Sequence, residues 1–305
     1  MAFDPKRSAT SGNFLLEIGD SRCSYLKSFS GLAYEADIAN HEHGAELFQT
    51  KNMANFKYSN AKASIGMSMG KEMNEWIRSS FKKEFMSKHG AFVAGDFNFK
   101  ETRRVEFTDA LICSIGLPKL DGADKNPCYF DIEFEAETVK HVKGTGADIR
   151  GNYGTKAKAW LASCFKFELA GLEEYCKRVA TIDAMQLKQT NKADEIGEKR
   201  IYTKHPCKLV VPDIKLSISS ADQEPWAQWA EAWFLGGKSL AADHKDGAIT
   251  YLAPDMTTVL GTLELKNCGL KKFADEDYTA NSDKIKRFTV ELYAEEMDFK
   301  MNYVE

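Results

Sequence analysis

Two stretches of the chain match each other without a gap: KASIGMSMGKEMNEWIRSSF at residues 62–81 and KLSISSADQEPWAQWAEAWF at residues 215–234. Identical residues recur at one constant shift (217 − 64 = 153), as in the pairs Lys62 and Lys215, Ser64 and Ser217, Ile65 and Ile218, Trp76 and Trp229, and Phe81 and Phe234. A repeat of ~20–50 residues indicates a solenoid or propeller, whereas a shift this long indicates two copies of a whole domain. The sequence therefore predicts a tandem duplication.

Each copy begins this match with a short strand and continues into a helix. Apolar residues recur at three and four positions in residues 69–88, which is the spacing of one helix face. Residues 225–236 show the same spacing through their tryptophans, with Pro225 suited to a first helical turn and Gly236 to a helix end. We expect one packed helix in each copy.

The copies end in alternating strands, FDIEFEAE at residues 130–137 and FTVELYAE at residues 288–295. Such alternation indicates a strand with one buried and one exposed face. Gly116 and Gly269, which precede these strands, are separated by the same 153 positions (269 − 116 = 153). One helix among mostly antiparallel strands predicts a mainly β fold with helices, a small barrel or sandwich with one packed helix per domain.

Composition and length define the class of protein and its domain organisation. At 305 residues the chain has the length of about two ordinary domains. We place domain 1 at residues 13–142, a Gly- and Lys-rich linker at 143–158 and domain 2 at 159–303. The net charge of −4 lacks the basic excess of a general nucleic-acid-binding surface.

The apolar runs, the N-terminus and the cysteines indicate the compartment in which the chain is made. No apolar run approaches the ~20 residues that span a bilayer, and the N-terminus lacks the apolar core of a secretory signal. Seven scattered cysteines without a C-x-x-C pair indicate reduced thiols and synthesis in a cytoplasm.

The order of these elements resembles the tail-tube fold of contractile-phage tube proteins, which Hcp rings and extracellular injection systems share. In each half the resemblance depends on a Ser-Ile strand, a Trp-centred helix and a final alternating strand: Ser64-Ile65, Trp76 and Ile132-Glu133-Phe134, then Ser217-Ile218, Trp229 and Val290-Glu291-Leu292. It covers both halves, whereas family members usually carry one such domain.

The resemblance implies a structural virion protein whose rings stack into the inner channel of a tail, through which DNA or an effector passes without specific binding. It implies homo-oligomeric rings, either trimers with two domains per chain in one ring or hexamers with the second domain elsewhere. The expected partners are sheath and baseplate proteins, and no membrane is expected as a partner. The loops near residues 40–60 and 190–208 are candidates for ring stacking. A tube-terminating or baseplate-proximal ring is the alternative, and a small-ligand-binding β-barrel is a second alternative.

Two sets of residues are candidates for functional positions. The resemblance and the strand alternation together make the acidic strand faces candidates for the lumen: Asp131, Glu133, Glu135, Glu137, Glu291 and Glu295. An acidic lumen would repel phosphate and let DNA slide. The aromatic residues at helical spacing are candidates for the core or for subunit contacts: Trp76, Phe81, Trp226, Trp229, Trp233 and Phe234.

No pattern in the sequence predicts an enzyme, a cofactor site or a metal site. His41-Glu42-His43 is more typical of a solvated loop than of a metal site, because no further ligand cluster follows. Gly144-Thr145-Gly146 lacks the Lys-Ser/Thr and the flanking elements of a phosphate loop. No Ser/His/Asp or Cys/His set has a recognisable context.

Overall fold

The computed structural model of the chain describes residues 12–19, 21–23, 26–41, 44, 49–150, 160–194, 202–277 and 285–302. The prediction of a mainly β fold with two helices is confirmed. Both predicted helices form, at Lys71–Phe81 and Gln223–Phe234, and each follows a strand that contains the Ser-Ile pair. The first helix is shorter than the predicted 69–88, because Lys88 begins a strand. No helix among these residues is long and apolar enough to cross a membrane.

The described residues of the first half form eleven strands and one α-helix. In chain order these are β1 (Phe14–Ile18), β2 (Ser21–Cys23), β3 (Leu26–Ser30), β4 (Tyr34–His41), β5 (Thr50–Tyr58), β6 (Ala61–Ile65), α1 (Lys71–Phe81), β7 (Lys88–Gly95), β8 (Glu101–Leu117), β9 (Leu120–Asp121), β10 (Phe130–Glu135) and β11 (Thr138–Lys143). The helix α1 follows Gly70, which is extended (φ −62°, ψ 158°). Burial alternates along β6 and β10, as expected for strands with one face on a core.

Nine strands and one α-helix form in the part of the second half that the structure describes. In chain order these are β12 (Phe165–Leu169), β13 (Val179–Ile182), β14 (Met185–Asp194), β15 (Thr203–Val210), β16 (Ile214–Ser219), α2 (Gln223–Phe234), β17 (Lys245–Leu252), β18 (Val259–Asp275), β19 (Arg287–Tyr293) and β20 (Glu296–Met301). Residues 190–208, which the sequence assigns to a loop, lie largely in the β14–β15 hairpin. Residues 50–58 likewise form β5, which pairs with β4.

The two halves pair their strands in the same order. The sequence β1-β7-β8-β10-β6-β3 in one half corresponds to β12-β17-β18-β19-β16-β13 in the other, with β11 on β8 and β20 on β18. Bulges recur at matching places: the register shifts beside Glu133 in the β8–β10 pair and beside Lys272 in the β18–β19 pair. The two halves therefore resemble each other in strand order as well as in sequence. That they arose by duplication stays a prediction.

The register corrects one detail of the sequence match. Gly116 pairs with Asp131 of β10, and Ala274 pairs with Thr289 of β19. Because β10 corresponds to β19, the counterpart of Gly116 is Ala274, at a shift of 158 (274 − 116), and not Gly269. The shift is 153 in β6 and β16 and larger after the helix, because the second half has extra residues between α2 and β18. A constant shift could not follow these insertions.

Strands of each half also join the sheet of the other. The β14–β15 hairpin extends the sheet of the first half through β8, and β9 extends the sheet of the second half through β13. The β4–β5 hairpin, which corresponds to β14–β15, forms a two-stranded sheet of its own. The domain bounds at residues 142 and 159 stay a prediction, and strand pairing crosses between the two halves.

One apolar core runs through both halves. Phe299 of β20 is fully buried, and its ring lies 5.2 Å from that of Phe130 and 6.1 Å from that of Phe81 in the first half. Trp160 lies 4.9 Å from Phe130 by ring centroids and continues the contact. Most cysteines are small buried members of this interior: Cys23, Cys128, Cys164, Cys176 and Cys268.

The described part of the predicted linker packs on the first half. The backbone N–H groups of Gly144 and Gly146 donate to carbonyls of β8, and Ile149 is 5% exposed against Leu15 and Val93. A side chain on Gly144 would collide with the backbone of residues 101–102. These residues therefore need the glycine for close packing, and residues 151–159 lie outside the described chain.

Because Phe299 joins the two halves of the core, Phe299→Ala should destabilise the whole molecule. Removing a buried phenylalanine side chain costs about 3–5 kcal/mol, and one cooperative transition should shift in a urea titration followed by circular dichroism. Phe97→Ala is the matched control, because Phe97 is 78% exposed and its loss should change the unfolding free energy by less than about 0.5 kcal/mol. Two separate transitions, with only one of them shifted, would show that the halves unfold independently.

Candidate assembly site

The junction between the two halves is a continuous antiparallel sheet. Residues 185–188 of β14 pair with residues 114–117 of β8, with Met185 opposite Leu117 and Lys188 opposite Ser114. The Gln186 side chain donates a 2.8 Å hydrogen bond to Ser114 Oγ. Because β8 pairs with β10 along its other edge, the sheet of the first half continues into the second.

A partly buried ion pair fixes the hairpin at this junction. Lys204 of β15 donates from Nζ to Glu135 Oε2 at 2.9 Å, and both side chains are 19% exposed. Its backbone N–H donates to Glu137 Oε1 at 2.6 Å. Two of the candidate lumen residues, Glu135 and Glu137, therefore lie at the junction and bind the hairpin.

The helix side of the junction is closed by β20. The Phe81 ring of α1 contacts the Phe299 ring, and Arg78 Nε lies 3.8 Å from Asp298 Oδ1. Phe81 is 5% exposed as a result. The internal junction thus has three parts: paired strand edges, a hairpin held by carboxylates, and a helix covered by β20.

The second half has the same receiving edge, but no partner covers it in the described chain. Residues 269–275 of β18 pair with β19 along one edge, and no described strand pairs with the other. The counterpart edge in β8 is buried at Ser114, Ile115 and Leu117, whereas Lys272 and Asp275 are exposed. An unpaired strand edge is a template for another strand.

The donating hairpin has a free counterpart as well. The β4–β5 and β14–β15 hairpins share one register at a shift of 153: Glu35 opposite Lys57 corresponds to Lys188 opposite Val210. Tyr34, whose counterpart Leu187 is 2% exposed, is itself 58% exposed. Ile38 and Met53 on this hairpin are 56% and 57% exposed. The first half therefore presents an apolar hairpin, and the second half presents an open edge.

The aromatic candidates divide between the core and this open side. Trp76 and Trp226 are fully buried, Trp233 is 6% exposed, and Trp229 is half-buried beneath Lys245. Phe234 is 50% exposed, and the neighbouring Leu235 is 82% exposed. Phe81 and Phe234 occupy equivalent positions, so the greater exposure of Phe234 marks the place where no described strand covers α2 as β20 covers α1.

The polar face of the sheets carries the remaining acidic candidates, but it is balanced in charge. Lys62 Nζ lies 3.8 Å from Glu133 Oε2, and Lys215 is directly opposite Glu291 in the sheet. The Ser64 hydroxyl donates to Asp131. Cross-strand lysines thus offset carboxylates on the face that the sequence alone predicts to be acidic.

This polar face is concave in the first half, and the acidic candidate Glu295 lies outside the concave region. A depression of about 340 Å³ lies over it, lined by Ser28, Ser30, Lys62, Ser114, Asp131 and Gln186. Glu295 lies apart from it, where its carboxylate accepts a 2.6 Å hydrogen bond from Asn267. Four of the six acidic candidates alternate with buried residues and lie on the polar side of their strands: Asp131, Glu133 and Glu135 on β10 and Glu291 on β19.

The described residues hold no group of three or more His, Cys, Asp or Glu side chains arranged for a metal. The His41-Glu42-His43 sequence lies partly outside the described chain. Burial raises the pKa of the Cys23 and Cys268 thiols to about 12, which keeps them protonated and unreactive at neutral pH.

Comparison with known proteins gives a family match in the first half. Residues 10–141 match the family of the T4-like virus tail tube protein gp19. The first half is therefore similar in sequence to tail tube proteins of this family. No curated protein matches the sequence.

The solved structures that are similar to this chain each cover about half of it. A chain of the PVC sheath–tube complex, an extracellular contractile injection system, has 16% identity over 45% of this chain and 88% of its own, with a TM-score of 0.36. A chain of the anti-feeding prophage tube-terminating cap has 18% identity over 52% and 98%, with a TM-score of 0.34. Hcp1 from Flavobacterium johnsoniae has 12% identity over 47% and 98%, with a TM-score of 0.28.

Proposed function

We propose that this chain is a structural, non-enzymatic ring subunit of a contractile tail or injection tube. The observation that carries the proposal is the pair of unmatched surfaces, a free β4–β5 hairpin and an open β18 edge, which are counterparts of the two sides of the internal junction. A hairpin of one copy would pair with the β18 edge of the next. Such a head-to-tail contact generates a ring when its rotation closes.

The internal junction favours three chains per ring over six. The β14–β15 hairpin of the second half extends the sheet of the first, which would put the two halves at consecutive positions in the same ring. A hexamer with the second half in another tier would require that sheet pairing to be broken. With the six-fold rings that the family resemblance implies, two positions per chain give a trimer.

Stacking such rings would make a channel lined by the polar sheet face, with the helices outside. Assembly would take place in a host cytoplasm and end in a virion tail or a similar particle, with sheath and baseplate proteins as partners. The balanced charge of the polar face supports passage of DNA or an effector, because a channel without a basic excess does not hold phosphate.

A disulfide trap tests both the contact and its stoichiometry. In the internal junction Gln186 is opposite Gly116, and the counterparts of these residues are Ala33 and Ala274. Opposed residues in antiparallel strands have Cα atoms about 4.5–5.5 Å apart, within the ~4.4–6.8 Å range of disulfides. Ala33→Cys with Ala274→Cys, made in a Cys207→Ser background to remove the exposed thiol, should give cross-linked species of two and three chains on a non-reducing gel.

The control for this trap moves one cysteine out of register. Ala36→Cys with Ala274→Cys places the thiols three positions apart along the hairpin (36 − 33 = 3), and cross-linking should fall to background. A ladder that ends at six chains would contradict the trimer, and monomers alone would contradict the ring. Negative-stain micrographs of rings cross-linked in the in-register variant (Ala33→Cys with Ala274→Cys) should show six-fold features.

A charge reversal tests the channel. Glu133→Lys with Glu291→Lys removes both carboxylates that face lysines and makes the polar face basic, so assembled rings should retain DNA at low salt and release it as salt rises. Wild-type rings should retain none. Glu75→Lys with Glu168→Lys makes the same change in net charge on exposed side chains elsewhere. Equal DNA retention by this control would show that net charge, and not a lining face, is responsible.

A further inference from the structure

The internal junction contains an ion pair whose counterpart is reversed in sign. Arg78 of α1 faces Asp298 of β20 at 3.8 Å, with the two side chains 41% and 27% exposed. The helix counterpart of Arg78 is Glu231 (78 + 153 = 231), and the strand counterpart of Asp298 is Lys140 (298 − 158 = 140). A basic helix residue against an acidic strand residue therefore becomes an acidic helix residue against a basic strand residue.

The correspondence of these positions is supported by burial along the two helices. Met73 and Trp226 are both fully buried and occupy equivalent sites, so the shift of 153 holds along α1 and α2. Ser79 is buried while its counterpart Ala232 is only half-buried, and Arg78 is more covered than the exposed Glu231. The positions that are more exposed on α2 correspond to those near β20 on α1.

The net charges of the surrounding segments are reversed as well. Residues 71–83 of the α1 region, which contacts β20 through Arg78 and Phe81, have a net charge of +2, and β20 has a net charge of −1. Residues 223–235 of the α2 region have a net charge of −2, and β11 has a net charge of +2 with neutral histidine. The charged residues are Lys71, Glu72, Glu75, Arg78, Lys82 and Lys83 in the α1 region, Glu296, Asp298 and Lys300 in β20, Glu224 and Glu231 in the α2 region, and Lys140 and Lys143 in β11.

We infer that these opposite polarities fix the order of halves around the ring: α1 accepts β20 of its own chain, and α2 accepts β11 of a second copy. The inference rests on the proposed ring. The two wrong contacts, α1 with β11 and α2 with β20, bring like charges together, which disfavours a junction between two first halves or two second halves. Charges at such partly exposed contacts act mainly on specificity and association rate.

The aromatic contact next to the ion pair, between Phe81 and Phe299, also has an equivalent in the proposed contact between chains. Phe299, which touches Phe81, corresponds to His141 of β11 (299 − 158 = 141). The exposed Phe234 would therefore meet His141 of a second copy beside the Glu231–Lys140 pair. His141 already stacks near Tyr34, 4.7 Å between ring centroids, so β11 and the free hairpin present one combined surface.

The test is a charge swap across the contact between chains. Lys140→Glu places a carboxylate opposite Glu231, and Glu231→Lys places an ammonium opposite Lys140, so either single change should weaken association about three- to tenfold per junction at low salt. The double variant restores opposite charges and should return to within about twofold of wild type. Lys166→Glu on β12, outside the proposed contact, is the control for net charge and should assemble normally. Mass photometry across a concentration series measures the assembled fraction.

The outcomes separate this inference from the ring itself. Weak assembly of both single variants with recovery in the double variant supports it, and raising the salt should shrink the difference. Rings that form equally well in all variants would overturn the polarity and leave the ring intact. Weak assembly without recovery in the double variant would also overturn it, because the two residues would then act separately. A wild-type chain that stays monomeric would overturn the ring and, with it, this inference.

Discussion

The pairing of β14 with β8 is the interaction on which the architecture depends. β8 is a 17-residue strand that serves β7 and β11 in its first part and β10 and β14 in its last. Its end would be an open edge with apolar side chains at Ile115 and Leu117, and the second half closes that edge. Backbone N–H and C=O groups at a buried edge need partners. The first half therefore depends on the second for part of its own sheet.

Local periodicity predicted the elements that follow a local rule. The alternation in β10 and β19 and the helical spacing in α1 and α2 arise from contacts of each segment with one core, and the structure places them accordingly. The pairing of β14 with β8 and of β9 with β13 was missed, because edge pairing joins residues about 60 to 74 positions apart in the chain. The alternation of Met185 and Leu187 was the available signal for a buried strand that runs into the region assigned to a loop.

The acidic face shows why a site is harder to predict than a strand. Alternation correctly placed Glu133 and Glu291 on an exposed face, but the charge of a face depends on the neighbouring strands as well. Lys62 and Lys215 come from β6 and β16, and their cross-strand positions became visible only with the register. The same holds for Glu135 and Glu137, whose partner Lys204 belongs to the other half.

Covalent linkage explains why equivalent junction surfaces differ in chemistry. Within the chain, tethering gives the two halves an effective concentration of order millimolar or more. A contact surface with polar residues, such as Asn191 of the hairpin and Arg78 of the helix, together with Pro206, is therefore sufficient to hold the internal junction. A junction between chains would lack that advantage and would need more apolar area. The corresponding surfaces do carry it, with Ile38 and Met53 in place of Asn191 and Pro206. Apolar exposure on β4–β5 and at the end of α2 thus supports the proposed contact between chains.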